Sequence, residues 1–111
     1  MTYDNENIFA KILRSEIPCE KIFENEYIFS FKDINPKAKF HILIIPKKPY
    51  IDVLDFLENA DADYQSNFWI SVSKIIAQLD LKNKGFQIKT HKGKDGGQEV
   101  FHFHLHLLSD S

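Results

Sequence analysis

Apolar and polar residues alternate without a break through residues 101–107, Phe-His-Phe-His-Leu-His-Leu. A period of two marks a strand with two unlike faces. Phe101, Phe103, Leu105 and Leu107 share the face that can pack on a core. His102, His104 and His106 share the other. At a rise of about 3.3 Å per residue, neighbouring imidazoles stand roughly 6.5–7 Å apart, enough for the row to span a phosphate and its leaving group.

The rest of the chain reads as a frame for that row. Ile8, Phe9, Ile12 and Leu13 recur at helical spacing, predicting a short helix over residues 7–14, capped by Asn5 or Asn7 and ended by Pro18. Residues 21–24 and 27–32 predict two strands joined by a hairpin at Asn25-Glu26, and Asp33-Ile34-Asn35-Pro36 predicts a turn. The apolar, β-branched run over residues 41–45, closed by Pro46, predicts a central strand buried on both faces. Asp52 heads a short helix over residues 52–59. Phe68, Trp69, Val72, Ile75, Ile76 and Leu79 form the apolar stripe of a long helix over residues 61–80, with Gly85 as the glycine that closes it. Residues 86–91 alternate again, and residues 92–98 form a flexible loop that feeds the histidine strand.

Strands before and after one long helix, with short connections, predict an α+β fold. The expected architecture is an antiparallel sheet of about five strands with one short N-terminal and one long central helix, the helices on one face. At 111 residues, with no linker or repeat, a single domain over residues 1–111 is expected. A net charge of −2 supplies no basic field to recruit nucleic acid. The lone Cys19 rules out an intramolecular disulfide and suits a reducing compartment. No apolar run is long enough to span a membrane, and the first residues lack the pattern of a secretory signal, so a cytoplasmic protein is expected.

Imidazole is both nucleophile and proton carrier near neutral pH. Three in a row resist joint protonation, so at least one stays neutral. Gly93, Gly96 and Gly97 let backbone N–H groups approach a phosphate closely. Together these point to attack on phosphorus through a phosphohistidine-type intermediate. The competing reading is metal hydrolysis, with His102 and His104 as an i, i+2 ligand pair and His41 or His91 as a third ligand.

The stretch from Gly96 through Gln98, Glu99 and the three histidines to Leu108 resembles the histidine-triad (HIT) motif, His-x-His-x-His followed by two apolar residues. Ile8-Phe9-Ala10-Lys11-Ile12, Glu16-Ile17-Pro18, Phe31-Lys32-Asp33-Ile34-Asn35-Pro36 and the run from His41 to Lys48 resemble the Hint branch of that family, in the same order. The resemblance implies a HIT-like fold and metal-free hydrolysis, without a cofactor, at the α-phosphorus of purine nucleoside phosphoramidates. It implies His104 as nucleophile, with His106 contacting the phosphate and assisting the leaving group, and His102 and His41 supporting the row. Asp33 would take the ribose hydroxyls, Gly97 and Gln98 the phosphate, and Ile8, Phe9, Phe31 and Ile34 the base. For those four apolar residues the plain alternative is core. The resemblance also implies an AMP-like nucleotide as ligand and a homodimer with a continuous sheet.

The chain departs from relatives at several points. Three of four ligands of a structural zinc site found in many relatives are replaced, by Asn7, Ala10 and Pro49, so no structural zinc is expected. His91 stands where an asparagine often contacts the nucleotide, and Glu99 where some relatives have a phosphate-contacting serine. The chain stops soon after the triad, where relatives often carry a tail that shapes leaving-group preference. A nucleotide-binding or scaffold protein with incidental catalysis is the alternative function.

Overall fold

A computed structural model describes residues 1–111. The chain runs α1 (Ile8–Leu13), β1 (Lys21–Glu24), β2 (Ile28–Lys32), β3 (Phe40–Pro46), α2 (Val53–Asn59), α3 (Ala62–Gln78), β4 (Gln87–Lys89) and β5 (Leu105–Ser109), with one 3-10 turn at Lys94–Gly96. The five strands form one antiparallel sheet in the order β1-β2-β3-β5-β4. The α+β architecture agrees with the sequence. So do the helix starts: Asn7, Asp52 and Asp61 each accept a backbone N–H of their own first turn.

β3 is the central strand, and Ile42 through Ile45 are all buried. Its alternate residues go to opposite faces. Ile42 and Ile44 join Ile28, Leu105 and Leu107 in a core closed by Phe56 of α2 and Phe68, Val72 and Ile75 of α3. Leu43 and Ile45 join Phe31 on the opposite face, where Phe9 and Ile12 of α1 cover them. The helices therefore do not share one face. A strand apolar on both sides needs a cover on both sides, and α1 supplies the second. That placement leaves α1 beside the face to which His104 and His106 turn.

Several boundaries differ from the pattern-based ones. Gly85 does not close the long helix. Asp80 does, in the left-handed region at φ 59, with its N–H bonded to Ala77 O and that of Leu81 bonded to Ile76 O. Ser15 ends α1 in the same way at φ 62, ahead of Pro18. The hairpin takes three residues, because Asn25 Oδ1 accepts the N–H groups of both Tyr27 and Ile28 at 2.9 and 3.0 Å. β4 is only three residues long and forms a sheet edge.

Candidate active site

The histidine row is only partly on a strand. Ladder pairing of β5 with β3 begins at Leu105, opposite Ile44. Beyond that point β3 ends at Pro46, which has no N–H to offer. The Phe103 N–H bonds instead to Tyr50 O at 2.7 Å. The alternation survives without the ladder, since Phe103, Leu105 and Leu107 all enter the α2/α3 core. The His104 and His106 rings are 5.1 Å apart, closer than an ideal strand would hold them.

Each imidazole has a fixed partner, and the partners fix the tautomers. The His102 ring is completely buried, with Nε2 2.9 Å from Pro46 O and Nδ1 2.6 Å from the Tyr3 hydroxyl. A carbonyl can only accept, so Nε2 carries the proton and Nδ1 receives the Tyr3 O–H. His104 Nδ1 lies 2.7 Å from His102 O, so its proton is on Nδ1 and its Nε2 keeps a free lone pair. His41 Nδ1 accepts the Lys37 N–H at 2.9 Å, which leaves its proton on Nε2. That nitrogen is 3.0 Å from His106 Nδ1 and 3.3 Å from Asp33 Oδ2. His106 therefore accepts at Nδ1 and carries its own proton on Nε2.

Burial keeps the triad neutral. It pushes the pKa of His102 down to about 4. Burial, helped by the neighbouring His104, His41 and His91, pushes His106 down to about 4 as well. His104 is also lowered, again chiefly by burial. The imidazole that keeps a free lone pair is thus unprotonated near neutral pH.

A cleft of about 680 Å³ opens on His104 and His106. Ile8, Phe9, Phe31 and Ile34 line one end of it. Phe9 and Phe31 are buried, and the Phe9 ring meets the edges of Phe31 at 5.6 Å and His104 at 4.9 Å. Ile34 is 85% exposed and Ile8 42%, so neither is a core residue; they flank an open apolar slot. Asp33 stands in the cleft with Oδ1 held by the Asn35 N–H at 2.8 Å. His91, Gly97 and Glu99 line the same cleft, and the His91 ring lies 5.5 Å from that of His106. Gly97 has φ 88, a backbone conformation that a side chain would strain.

His102, expected to support the row, and Gln98, expected at the phosphate, both lie behind the wall. His102 is buried beneath the cleft. Gln98 is 5% exposed, and both ends of its side chain are occupied. Its Oε1 accepts the Gly93 N–H at 2.8 Å, and its Nε2 donates to Ile51 O and Val100 O. Gln98 therefore braces the glycine loop rather than presenting its amide to a phosphate. Tyr3 and Thr90, which donates to His104 O at 2.8 Å, also hold the row, and nothing in local pattern marks them. The bond from Tyr3 joins residues 99 apart in the chain.

A zinc pair of His102 and His104 is not built, because both nitrogens of His102 are committed to protein partners. The groups whose ligand atoms do converge, within 4.8 Å, are Asp33, His41 and His106. There the His41 Nε2–H already bridges to His106, and a cation would have to displace that proton.

A HIT-domain model matches residues 14–111. This chain belongs to the HIT family. It is 42% identical over 106 residues to a HIT-like protein of Rickettsia prowazekii, covering 96% of this chain and 88% of that one. A HIT family hydrolase from Legionella pneumophila has a solved structure that superposes with a TM-score of 0.86 at 37% identity, covering 96% of this chain and 94% of that one. A histidine triad nucleotide-binding protein from Candida albicans superposes with a TM-score of 0.81 at 34% identity, covering 92% and 73%. In this chain the tautomers of the three histidines are set by Tyr3 and Pro46, by the His102 carbonyl, and by the Lys37 N–H acting through His41.

Proposed function

We propose that this HIT protein hydrolyses nucleotidyl conjugates at the α-phosphorus, purine nucleoside phosphoramidates being the leading class, through a nucleotidyl-His104 intermediate. One observation carries the reading. The Nδ1–H of His104 is spent on His102 O, so a neutral Nε2 is left free in a cleft with an apolar slot at one end. The base packs in that slot, on the edges and faces of Phe9 and Phe31. Asp33 accepts the ribose hydroxyls. The Gly97 backbone receives the phosphate, with His91 and Glu99 at its margin.

His104 Nε2 attacks phosphorus, forming a P–N bond as the bond to the leaving nitrogen breaks. The Nε2–H of His106 donates a hydrogen bond to that nitrogen, which takes a proton from solvent and departs as an amine. The N–H that His41 aims at His106 Nδ1 holds His106 in that donor tautomer. Water then attacks phosphorus, gives a proton back to solvent, and releases the nucleotide and neutral His104. Positioning and charge stabilisation supply the catalysis, as is usual for phosphoryl transfer.

The reading treats residues 1–111 as one domain working in the cytoplasm as a homodimer, with the free edge of β4 extending the sheet across the pair. No helix is long and apolar enough to cross a membrane. Sedimentation equilibrium is expected to give twice the 13.0 kDa chain mass, and a monomer would sink the dimer.

The deciding experiment is single-turnover hydrolysis of adenosine 5′-phosphoramidate with chelator present. Wild type is expected to release AMP. His104→Ala is expected to lose at least about a thousandfold of that rate while still binding AMP. Bound AMP with no turnover by wild type would turn the reading to a nucleotide-binding protein.

A further inference from the structure

The base slot is built on α1 and β2, the histidines on β5 and the segment just before it, and β4 is the next strand along the sheet. A conjugate with its base at Phe9 and Phe31 and its phosphorus at His104 sends its remaining group across β5 toward β4. Lys89 of β4 pairs directly with His106, so the two side chains leave the same face of the sheet. Lys37 enters the same region from the loop before β3, and its backbone N–H is the one that fixes His41. Both lysines line the cleft, and both also line a second cavity of about 330 Å³ that continues it past Leu108. Neither takes part in any of the seven ion pairs of the chain. The one carboxylate in that cavity, Asp110, already accepts the Lys39 N–H at 3.0 Å.

We propose that Lys37 and Lys89 form an anion subsite for the leaving group, selecting nucleotidyl conjugates whose leaving group bears a carboxylate or phosphate a few atoms from the scissile bond. The inference rests on the hydrolase reading for the position of the phosphorus. Its physical basis is separate: two unpaired cations in a concave extension of the cleft, beside the histidine nearest the departing group. An ammonium that finds no partner within the chain gains a charge-assisted hydrogen bond when an anion arrives.

The test uses three adenosine 5′-conjugates of matched size, ending in a carboxylate, a phosphonate or a neutral methylamide. Each is made in a cleavable phosphoramidate form and a methylene-linked form that cannot be cleaved. Wild type is expected to bind one or both anionic methylene compounds at least about tenfold more tightly than the amide, a margin that shrinks with added salt. The carboxylate and phosphonate arms tell which anion the subsite takes. In a Lys37→Gln/Lys89→Gln variant that still binds AMP, the anionic-to-neutral ratio is expected to fall to about one. Equal binding of all three by wild type, or an anion preference that survives both substitutions, overturns the proposal. Failure of every cleavable form to turn over would refute the hydrolase reading, while the binding ratios would still decide the subsite.

Discussion

At the residue scale, the least conspicuous member of the site is Tyr3. Its hydroxyl holds Nδ1 of a fully buried histidine at 2.6 Å. That histidine's Nε2–H is tied to Pro46, and its carbonyl fixes the proton of His104. Tyr3→Phe keeps the ring and strands a buried acceptor, a loss of about 1–3 kcal/mol of stability. Because His102 also orients His104, kcat is expected to fall several-fold with KM little changed, and the His102 ring-nitrogen NMR signals to shift. A lower Tm with kcat unaltered would reduce Tyr3 to a structural latch. That the row carries imidazole chemistry was legible from residue types, but they left attack on phosphorus and metal binding both open. The support for the row was not legible, because Tyr3 and His102 stand 99 residues apart and only folding brings them together.

At the element scale, helix starts were legible and helix ends were not. An N-cap is announced by the side chain that makes it, and Asn7, Asp52 and Asp61 are such side chains. The ends of α1 and α3 depend on a backbone conformation that glycine usually signals, here adopted by Ser15 and Asp80. Gly85 lies past the real end and misleads the pattern. Asp80→Gly relieves a left-handed strain worth about 1 kcal/mol, so a higher urea midpoint with an unchanged slope is expected. A lower midpoint would mean that the Asp80 side chain contributes more than its backbone costs. The histidine strand shows a related limit. Alternation requires only an extended backbone, whereas a ladder needs a partner, and β3 runs out of N–H groups at Pro46.

At the scale of the whole molecule, the buried triad makes folding sensitive to acid. His102 titrates at about 4 in the folded protein and near 6.5 when unfolded. Between those values the unfolded chain binds more protons, so stability rises with pH. The contribution is complete above pH 6.5 and lost as pH falls toward 4. From pH 7 to pH 5, above most carboxylate titrations, His102 alone accounts for about 2 kcal/mol. His106 acts in the same direction with a smaller effect, because it is only partly buried and solvent screens it. Urea unfolding at the two pH values measures the sum, and equal stability at both would mean that the folded state accepts the proton. Sequence alone determined the strand and helix inventory, the antiparallel α+β class, the central buried strand and the residue types that carry the chemistry. Each of these follows from local periodicity or from a side chain's own nature. Tertiary structure alone decided that α1 covers the face opposite α2 and α3, that Gln98 braces instead of binding, that Tyr3 and Pro46 hold the first histidine, and that Lys89 lies beside the third. Those facts depend on which distant segments pair and in what register, and short-range patterns carry no record of that.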